Sequence, residues 1–174
     1  MTDSLIVPET PPAEPSARFR SLMATFPSGV AVVTAFEPGG RPWGMTCSSM
    51  CGVALDPPTL LVCLRRDSPT LGATLLTSTF TVNLLHSGAR ATAELFASGR
   101  ADRFSLVRWR RDGDRGGPRL IDDAHAIADC GVTRTVAAGD HVVVFGEVSE
   151  VELRVAAPTP LLYGLRRFSS WSPA

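Results

Sequence analysis

Residues 30–49, VAVVTAFEPGGRPWGMTCSS, predict a β-hairpin and with it a sheet-based fold. Residues 30–36 are rich in β-branched side chains, which favour strands. Residues 37–41 contain a proline and two glycines, the residues that punctuate turns. Residues 42–49 then return as a second strand. The sheet is therefore expected to begin with this antiparallel pair.

Many short strands and few helices are predicted in the rest of the chain. The further strands are expected at residues 53–55, 59–65, 79–85, 127–135 and 142–155, the last bending at Gly146. Helices are expected at residues 17–26 with Ser16 as N-cap, directly after Ser68, and at residues 89–97, whereas the charged, glycine-rich residues 108–119 predict a surface loop. Because the β-α-β alternation is missing, the pattern favours an all-β fold with flanking helices, in which an antiparallel sheet closes into a barrel.

The chain length and its prolines predict one domain with a tail. A chain of 174 residues, 44% of them hydrophobic, is most simply one domain with its own core. Residues 1–16 contain four prolines, which predict a flexible N-terminal tail. The folded domain is expected to span residues 17–174.

The charge and hydropathy patterns disfavour two classes of partner. Seventeen basic residues balance seventeen acidic ones, whereas a nucleic-acid-binding domain more often carries a basic surplus. The apolar runs are too short to span a bilayer, and the N-terminus lacks a basic-then-apolar signal pattern. We expect no nucleic acid partner, no membrane partner and a cytoplasmic location.

The cysteines and histidines do not form a metal-binding pattern. The four cysteines include no C-x-x-C pair, and the three histidines are widely separated. The cysteines are expected to be small buried residues in a reducing compartment. Cys47 is the exception to watch because it lies in a candidate ligand segment. No metal is expected.

That ligand segment is Thr46-Cys47-Ser48-Ser49, at the end of the hairpin. Hydroxyls donate and accept hydrogen bonds, and small side chains let a ligand approach the backbone. In a strand, Thr46 and Ser48 point to one face and Cys47 and Ser49 to the other. Two interpretations stand: ordinary sheet residues, or one wall of a site for a polar, planar, phosphate-bearing cofactor. The dinucleotide and nucleotide motifs G-x-G-x-x-G and G-x-x-x-x-G-K-[ST] are absent.

Other segments also have both a structural and a functional interpretation. Ser68 opens a helix whose N-terminus favours phosphate, and Arg65 and Arg66 lie just upstream, either to bind phosphate or as a solvated strand end. His141 begins an apolar strand, either as a structural histidine or in contact with a ligand. Two interpretations also stand for four residues, which either pack in the core or contact a planar ligand: Tyr163, Phe168, Arg103 and Phe104.

The ordered series of these segments resembles the short-chain flavin reductases, the small partners of two-component flavin-dependent monooxygenases. The resemblance covers about residues 17–171 and is carried by residues 19–34, 44–50, 55–58, 80–85, 96–97, 103–104, 139–148 and 160–163. It implies a six-stranded antiparallel Greek-key split β-barrel with flanking helices, usually a homodimer with the flavin near the dimer interface.

Carried over position by position, the resemblance also implies the site. The cofactor-binding residues would be Met45, Thr46, Cys47, Ser48, Ser49, Arg65, Arg66, Ser68, Thr70, Asn83, Arg103, Phe104, Tyr163 and Phe168. Among them, residues 46–49 would face the isoalloxazine and ribityl chain, and residues 65–70 would hold phosphate. His141 would position the nicotinamide.

The implied activity is reduction of free flavin, FMN or FAD, by NADH or NADPH, with the reduced flavin supplied to a partner monooxygenase. Hydride passes between the two cofactors, so the protein supplies position and electrostatics rather than an acid or base. Two alternatives remain open from the residues. One is a flavin-dependent enzyme that retains its cofactor for another step of a biosynthetic pathway, and the other is a non-catalytic flavin- or haem-binding protein.

Overall fold

The structure, a computed structural model, describes residues 14–113 and 116–171. Most of these residues form antiparallel strands. In the described ranges the helices are α1 (Pro15–Ala24), α2 (Pro69–Thr77) and α3 (Arg90–Ala97), and the strands are β1 (Ser28–Gly29), β2 (Ala31–Phe36), β3 (Pro42–Cys47), β4 (Met50–Leu55), β5 (Pro58–Arg65), β6 (Thr79–Leu85), β7 (Trp109–Arg110), β8 (Arg119–Leu120), β9 (Ala124–Ala138), β10 (His141–Leu153), β11 (Leu161–Gly164) and β12 (Arg167–Ser170).

A seven-stranded sheet in the order β3-β2-β6-β9-β10-β5-β4 forms the body of the protein. All of its neighbouring strands are antiparallel. The two edge strands, β3 and β4, are separated in sequence only by Ser48 and Ser49. At this corner the Cys63 N–H of β5 donates to the Ser49 carbonyl at 2.9 Å. The predicted mostly-β fold with few helices and an opening hairpin is confirmed.

Helices cover both faces of strand β2, which lies next to the edge strand β3. Each of the six residues of β2 is buried, because α2 packs on one side and α3 on the other. One core cluster includes Val32, Phe96 and Leu161 on the α3 side, and a second includes Val33 and Phe80 on the α2 side. This two-sided burial explains why β2 is a continuous apolar run rather than an alternating one.

The long β9–β10 hairpin changes register where the sequence predicts a bend. The pairing shifts between Phe145 and Gly146. A β-carbon at Gly146 would lie 2.5 Å from the Phe80 ring, so only glycine fits at this crossing. The bend therefore lets β10 pass over the buried Phe80 and still pair with β5.

A small sheet, β1-β11-β12, lies beside the main sheet, and the sequence did not predict β11 or β12. The Val30 N–H donates to the Leu161 carbonyl at 3.0 Å, which ties β11 to the start of β2. Leu165 and Arg166 have positive φ angles in the turn that follows β11. This hairpin presents Tyr163 opposite Phe168, and both residues recur in the site below.

Two local predictions were wrong. Helix α1 begins at Pro15 with Glu14, rather than Ser16, at the N-cap position, because the helix starts two residues earlier than expected, with proline in its favoured first position. The predicted surface loop at residues 108–119 turns inward at its end, since residues 116–120 are buried. The predicted tail lies mostly in residues 1–13, outside the described residues.

No helix in the described part of the chain is long and apolar enough to cross a membrane.

Candidate functional site

A groove of about 440 Å³ lies between β3, α3 and the β11–β12 hairpin. Its lining combines small, hydroxyl-bearing and aromatic side chains: Val30, Thr46, Ser48, Ala93, Glu94, Ala97, Ser98, Tyr163 and Phe168. The structure thus brings together four residues that the sequence proposed for the cofactor site, although they come from segments more than one hundred positions apart. Its size falls in the range of roughly 300–1,000 Å³ that is usual for small-molecule sites.

Close packing of α3 on β3 shapes the floor of the groove. The Thr46 hydroxyl donates to the Ala93 carbonyl at 2.5 Å. A β-carbon at Gly44 would lie 2.9 Å from Phe96 and 3.1 Å from Phe104, so glycine is needed for this approach. Ser48, just beyond the end of β3, is exposed. The floor therefore offers polar groups without bulky side chains that would fill the space.

An aromatic pair forms the opposite wall. Tyr163 and Phe168 face each other across the β11–β12 hairpin, with ring centroids 5.2 Å apart and an interplanar angle of 61°. Tyr163 is exposed and Phe168 half-buried. Aromatic rings in this position can border a planar ligand while the tyrosine hydroxyl stays in water.

The rim of the groove carries charges that sequence reasoning missed. Glu94 lines the groove and pairs with Arg90 one turn earlier, with 2.8 Å between Oε1 and Nε. The Arg90 guanidinium also lies 5.5 Å from the Phe168 ring centroid. The available signal was the run of small and polar residues at positions 93, 94, 97 and 98, which share one face of a helix.

The predicted phosphate-binding segment lies at the N-terminus of α2. Ser68 is the N-cap, and its Oγ accepts from the Thr70 N–H at 3.1 Å, as the sequence predicted. The same Oγ donates to the Met45 sulfur at 3.2 Å. Thr70 is buried, whereas Ser68 is half-buried. Since Met45 directly precedes Thr46, strand β3 connects this helix N-terminus to the groove.

His141 lies at the same corner of the sheet as the two arginines. It pairs in register with Arg65, and the Arg66 N–H donates to the Asp140 carbonyl at 2.9 Å. The His141 Nδ1 donates to the Asp140 carboxylate at 2.8 Å, and this hydrogen bond lowers the pKa of Asp140. Arg65 forms an exposed ion pair with Asp67. The imidazole is thereby oriented through Nδ1, which leaves Nε2 for a ligand.

Two of the proposed residues direct their side chains into the interior. The Asn83 amide donates to the Val32 and Pro118 carbonyls, each at 3.2 Å, and accepts from the Leu120 N–H at 2.8 Å. Cys47 is buried in the core, and burial raises its pKa to about 11. At neutral pH its sulfur is therefore a thiol, and the lining of the groove does not include this residue.

Three further proposed residues lie outside the groove: Arg103 and Phe104, which follow α3, and Ser49, which follows β3. Arg103 is buried with its guanidinium 6.0 Å from the Trp43 ring centroid, and burial lowers its pKa. Phe104 packs edge-on against Phe96 at 5.1 Å between centroids. Both lie outside the groove lining. Ser49 is exposed at the β3–β4 corner.

No group of three or more side chains suited to holding a metal ion occurs within residues 14–113 and 116–171.

Comparison with known proteins now identifies the family. The model of the flavin reductase like domain matches residues 23–172, so the chain belongs to that family. It is 50% identical over 158 residues to a flavin reductase (NADPH) of Lentzea aerocolonigenes, covering 91% of each chain. The predicted family resemblance is confirmed.

Solved structures agree with this assignment. The fold matches Streptomyces globisporus C-1027 NADH:FAD oxidoreductase SgcE6, solved in complex with NAD and FAD fragments, with a TM-score of 0.84, 31% identity and coverage of 91% of this chain and 94% of that one. It also matches the styrene monooxygenase flavin reductase SMOB of Pseudomonas putida S12, with a TM-score of 0.81, 29% identity and coverage of 90% and 99%.

Proposed function

We propose that this protein is an NAD(P)H:flavin oxidoreductase that reduces free FMN or FAD and supplies the reduced flavin to a partner monooxygenase. The observation that carries the proposal is the groove beside β3, in a chain of the flavin reductase like family, because it gathers hydroxyls and aromatic rings around an open space of about 440 Å³. The related NADPH enzyme, the NADH:FAD oxidoreductase and the styrene monooxygenase reductase support the same activity.

The residues of the groove fit a flavin by size and by chemistry. When bound, flavin supplies the redox chemistry by accepting at N5 a hydride from C4 of the nicotinamide. Ala93 and Ala97 let a flat ring approach α3, and Thr46 and Ser48 offer hydroxyls along one edge. The backbone N–H groups of Ser48 and Ser49 are the proposed donors to the negative charge that develops at N1 and O2.

The N-terminus of α2 is the proposed phosphate site. Its backbone N–H groups and its dipole favour an anion. Arg65 is the last residue of the adjacent strand β5, and Arg66 directly follows it. Ser68 fixes the first turn of the helix by capping the Thr70 N–H. His141 at the same corner is the proposed nicotinamide-positioning residue, held by Asp140. Asn83 is left out of the proposed site because its amide is engaged in the interior.

We further propose that the main sheet is a six-stranded Greek-key split barrel in which β3 and β4 act as one bent strand. They occupy opposite ends of the seven-strand order, yet only two residues separate them. The hydrogen bond between Cys63 and Ser49 supports closure at that corner. Counting β3 and β4 as one strand reduces the seven strands of the sheet to the proposed six.

A homodimer is the proposed assembly. The apolar residues of α1 face solvent, and none of the residues of this helix is buried. The exposed apolar residues of the helix include Phe19, Leu22 and Met23, and Phe26, just after its end, is exposed as well. Apolar helix faces of this kind mark protein interaction sites. Substituting Leu22→Glu is expected to yield monomers by size-exclusion chromatography with light scattering, and an unchanged molar mass for that variant and for Phe26→Glu argues against this face.

Two further proposals concern the chain ends and the compartment. The folded domain is proposed to begin with helix α1, whose first residue Pro15 lies two residues before the expected boundary at residue 17. Most of the expected tail, residues 1–13, lies outside the described residues. A cytoplasmic location is proposed because the four cysteines are free and two of them are buried apolar residues, a state that a reducing compartment preserves.

The activity is tested by mixing the purified protein with NADH or NADPH and excess FMN or FAD. Loss of the reduced nicotinamide absorbance band is expected, and the same preparation should support product formation when a flavin-dependent monooxygenase is added. The absence of nicotinamide oxidation above background with every combination contradicts the proposal. Flavin that stays bound through dialysis without any turnover favours the cofactor-retaining alternative instead.

A further inference from the structure

One ion pair of the protein borders the groove and an aromatic ring at the same time. Arg90 and Glu94 lie one turn apart on α3, with 2.8 Å between Nε and Oε1. Glu94 is the one charged side chain among the groove-lining residues of the described chain. Arg90 is placed 5.5 Å above the ring of Phe168, which forms the opposite wall. The groove lining therefore contains one anion, and the cation paired with it lies close to an aromatic ring of the opposite wall.

This ion pair contributes little to the stability of the fold, so either side chain can form a new interaction with a ligand. Its side chains are 65% and 52% exposed, and an exposed pair at this helical spacing contributes little to stability. The pair Arg108–Asp122, with 3.1 Å between Nη1 and Oδ1, is similarly exposed but lies outside the groove. A ligand group in the groove can thus compete for Arg90 or for Glu94 at low cost.

The two charges match the single chemical difference between NADPH and NADH. NADPH carries a phosphate on the 2′ oxygen of its adenosine ribose, where NADH carries a hydroxyl. Arginine binds phosphate through two parallel hydrogen bonds, whereas a carboxylate accepts from ribose hydroxyls and repels phosphate. If the flavin occupies the interior of the groove and the adenine of the dinucleotide stacks on the Arg90 side of Phe168, the adenosine ribose comes within reach of the ion pair.

We propose that Arg90 and Glu94 read this 2′ position and set the preference between NADPH and NADH. The inference rests on the proposed function and deepens it. The 2′ hydroxyl of NADH donates a hydrogen bond to the Glu94 carboxylate while the ion pair with Arg90 stays intact. A 2′ phosphate binds only when Arg90 turns from Glu94 toward it, so Glu94 restrains the use of NADPH. Removing Arg90 should therefore shift the preference toward NADH, and removing Glu94 should shift it toward NADPH.

The first test measures kcat/KM for both dinucleotides at saturating flavin. Arg90→Gln is expected to lower kcat/KM for NADPH about tenfold and to change that for NADH less than about twofold. Glu94→Gln is expected to raise the NADPH to NADH ratio by about threefold or more, because a repelling charge is lost. Arg90→Lys keeps the charge without the fork and should fall between wild type and Arg90→Gln. Arg108→Gln is the control and leaves the ratio unchanged.

The second test measures binding without turnover. Calorimetry with adenosine 2′,5′-bisphosphate and with AMP should show that Arg90→Gln weakens the bisphosphate about tenfold and AMP hardly at all. Thermal unfolding of each variant establishes that it is folded. Unchanged bisphosphate affinity in Arg90→Gln overturns the inference, and so does an unchanged dinucleotide ratio in both Arg90→Gln and Glu94→Gln.

The flavin phosphate is the other possible source of an anion at this rim, and a third arm separates it. The NADH reaction is repeated with riboflavin, FMN and FAD. If Arg90→Gln raises the KM of FMN but not of riboflavin, Arg90 binds the flavin phosphate and the inference fails. A protein that oxidises neither dinucleotide with any flavin contradicts the proposed function itself, whereas a turning-over protein with fixed preference contradicts this inference alone.

Discussion

The surroundings of Asn83 and the groove beside β3 contain the same kinds of polar side chain but have different roles. Around Asn83, the amide, the Thr34 hydroxyl and the buried residues 116–120 hydrogen-bond to one another and to the backbone. In the groove, Ser48 and Tyr163 face open space. One polar set is closed on itself and stabilises the fold, and the other is left available to a ligand.

The difference lies in what covers each region. Residues 116–120 lie against β2 and β6, and Gly117 approaches the Thr34 backbone so closely that a β-carbon would lie 2.4 Å from its carbonyl carbon. No ligand can enter there. Beside the groove, α3 presents the small side chains of Ala93 and Ala97 toward the β11–β12 hairpin, so space remains open between them. Polarity marks both regions, and packing decides which one can bind.

The largest expected effect comes from opening the closed region. Asn83→Ala removes four hydrogen bonds to Val32, Thr34, Pro118 and Leu120 and leaves buried backbone groups unpaired. We expect the free energy of unfolding to fall by about 3 kcal/mol, measured by urea denaturation. The KM for flavin of the folded fraction should stay within about twofold of wild type, because the amide does not reach the groove. A tenfold rise in that KM without loss of stability would return Asn83 to the cofactor site.

Filling the open region should have the reverse effect. Ala97→Phe places a ring in the groove from an exposed position of α3, whereas Ala91→Phe adds the same ring at an exposed position outside it. We expect kcat/KM for flavin reduction to fall at least about tenfold in Ala97→Phe and to change less than twofold in Ala91→Phe. Thermal unfolding should be similar for both. Equal activity in the two variants would move the ligand site away from the groove.

This contrast also separates what the sequence could predict from what it could not. The hairpin, the Ser68 cap and helix α3 follow from local signals, so they were predicted. Thr46, Ser48, Tyr163 and Phe168 were singled out by residue type and by the family resemblance, and the fold brings them together. Asn83 carries the same polar signal but is saturated by residues 116–120, a contact between distant segments that no local pattern contains.

The groove residues that were missed follow the same logic. Glu94 and Ser98 look like ordinary exposed helix positions, and their role depends on a hairpin that forms some seventy residues later. Strands β11 and β12 have only four residues each, too few for a clear alternation of apolar and polar positions. The buried end of residues 108–119 was missed because its glycines are typical of turns and also of close backbone contacts.

A smaller effect is expected from a single hydroxyl in the open region. Ser48→Ala removes an exposed Oγ from the groove wall, so the free energy of unfolding should change by less than about 0.5 kcal/mol. The KM for flavin should rise by about three- to tenfold, the loss of roughly 1 kcal/mol for one hydrogen bond to the ligand. Thr34→Val is the matched loss of a hydroxyl in the closed region, where Oγ1 donates to the Pro118 carbonyl at 2.7 Å. It should lower stability and leave KM unchanged, and the opposite pattern would reverse the assignment of the two regions.

The smallest expected effect is a pH dependence of stability that comes from the buried His125 and leaves flavin binding unchanged. Burial lowers the pKa of His125 below its usual 6.5, and the nearby His86 lowers it further. Between the folded and unfolded pKa values the unfolded chain binds more protons, so stability should fall as the pH decreases from 7.5 to 5.5. The His125→Gln variant lacks this titrating group, so its urea denaturation midpoint should fall less over the same pH range than that of the wild-type protein. The lowered pKa of Asp140 keeps that carboxylate ionised in this window. Identical slopes in the two proteins would show that His125 titrates alike in both states, and a change in flavin KM would connect the interior to the groove.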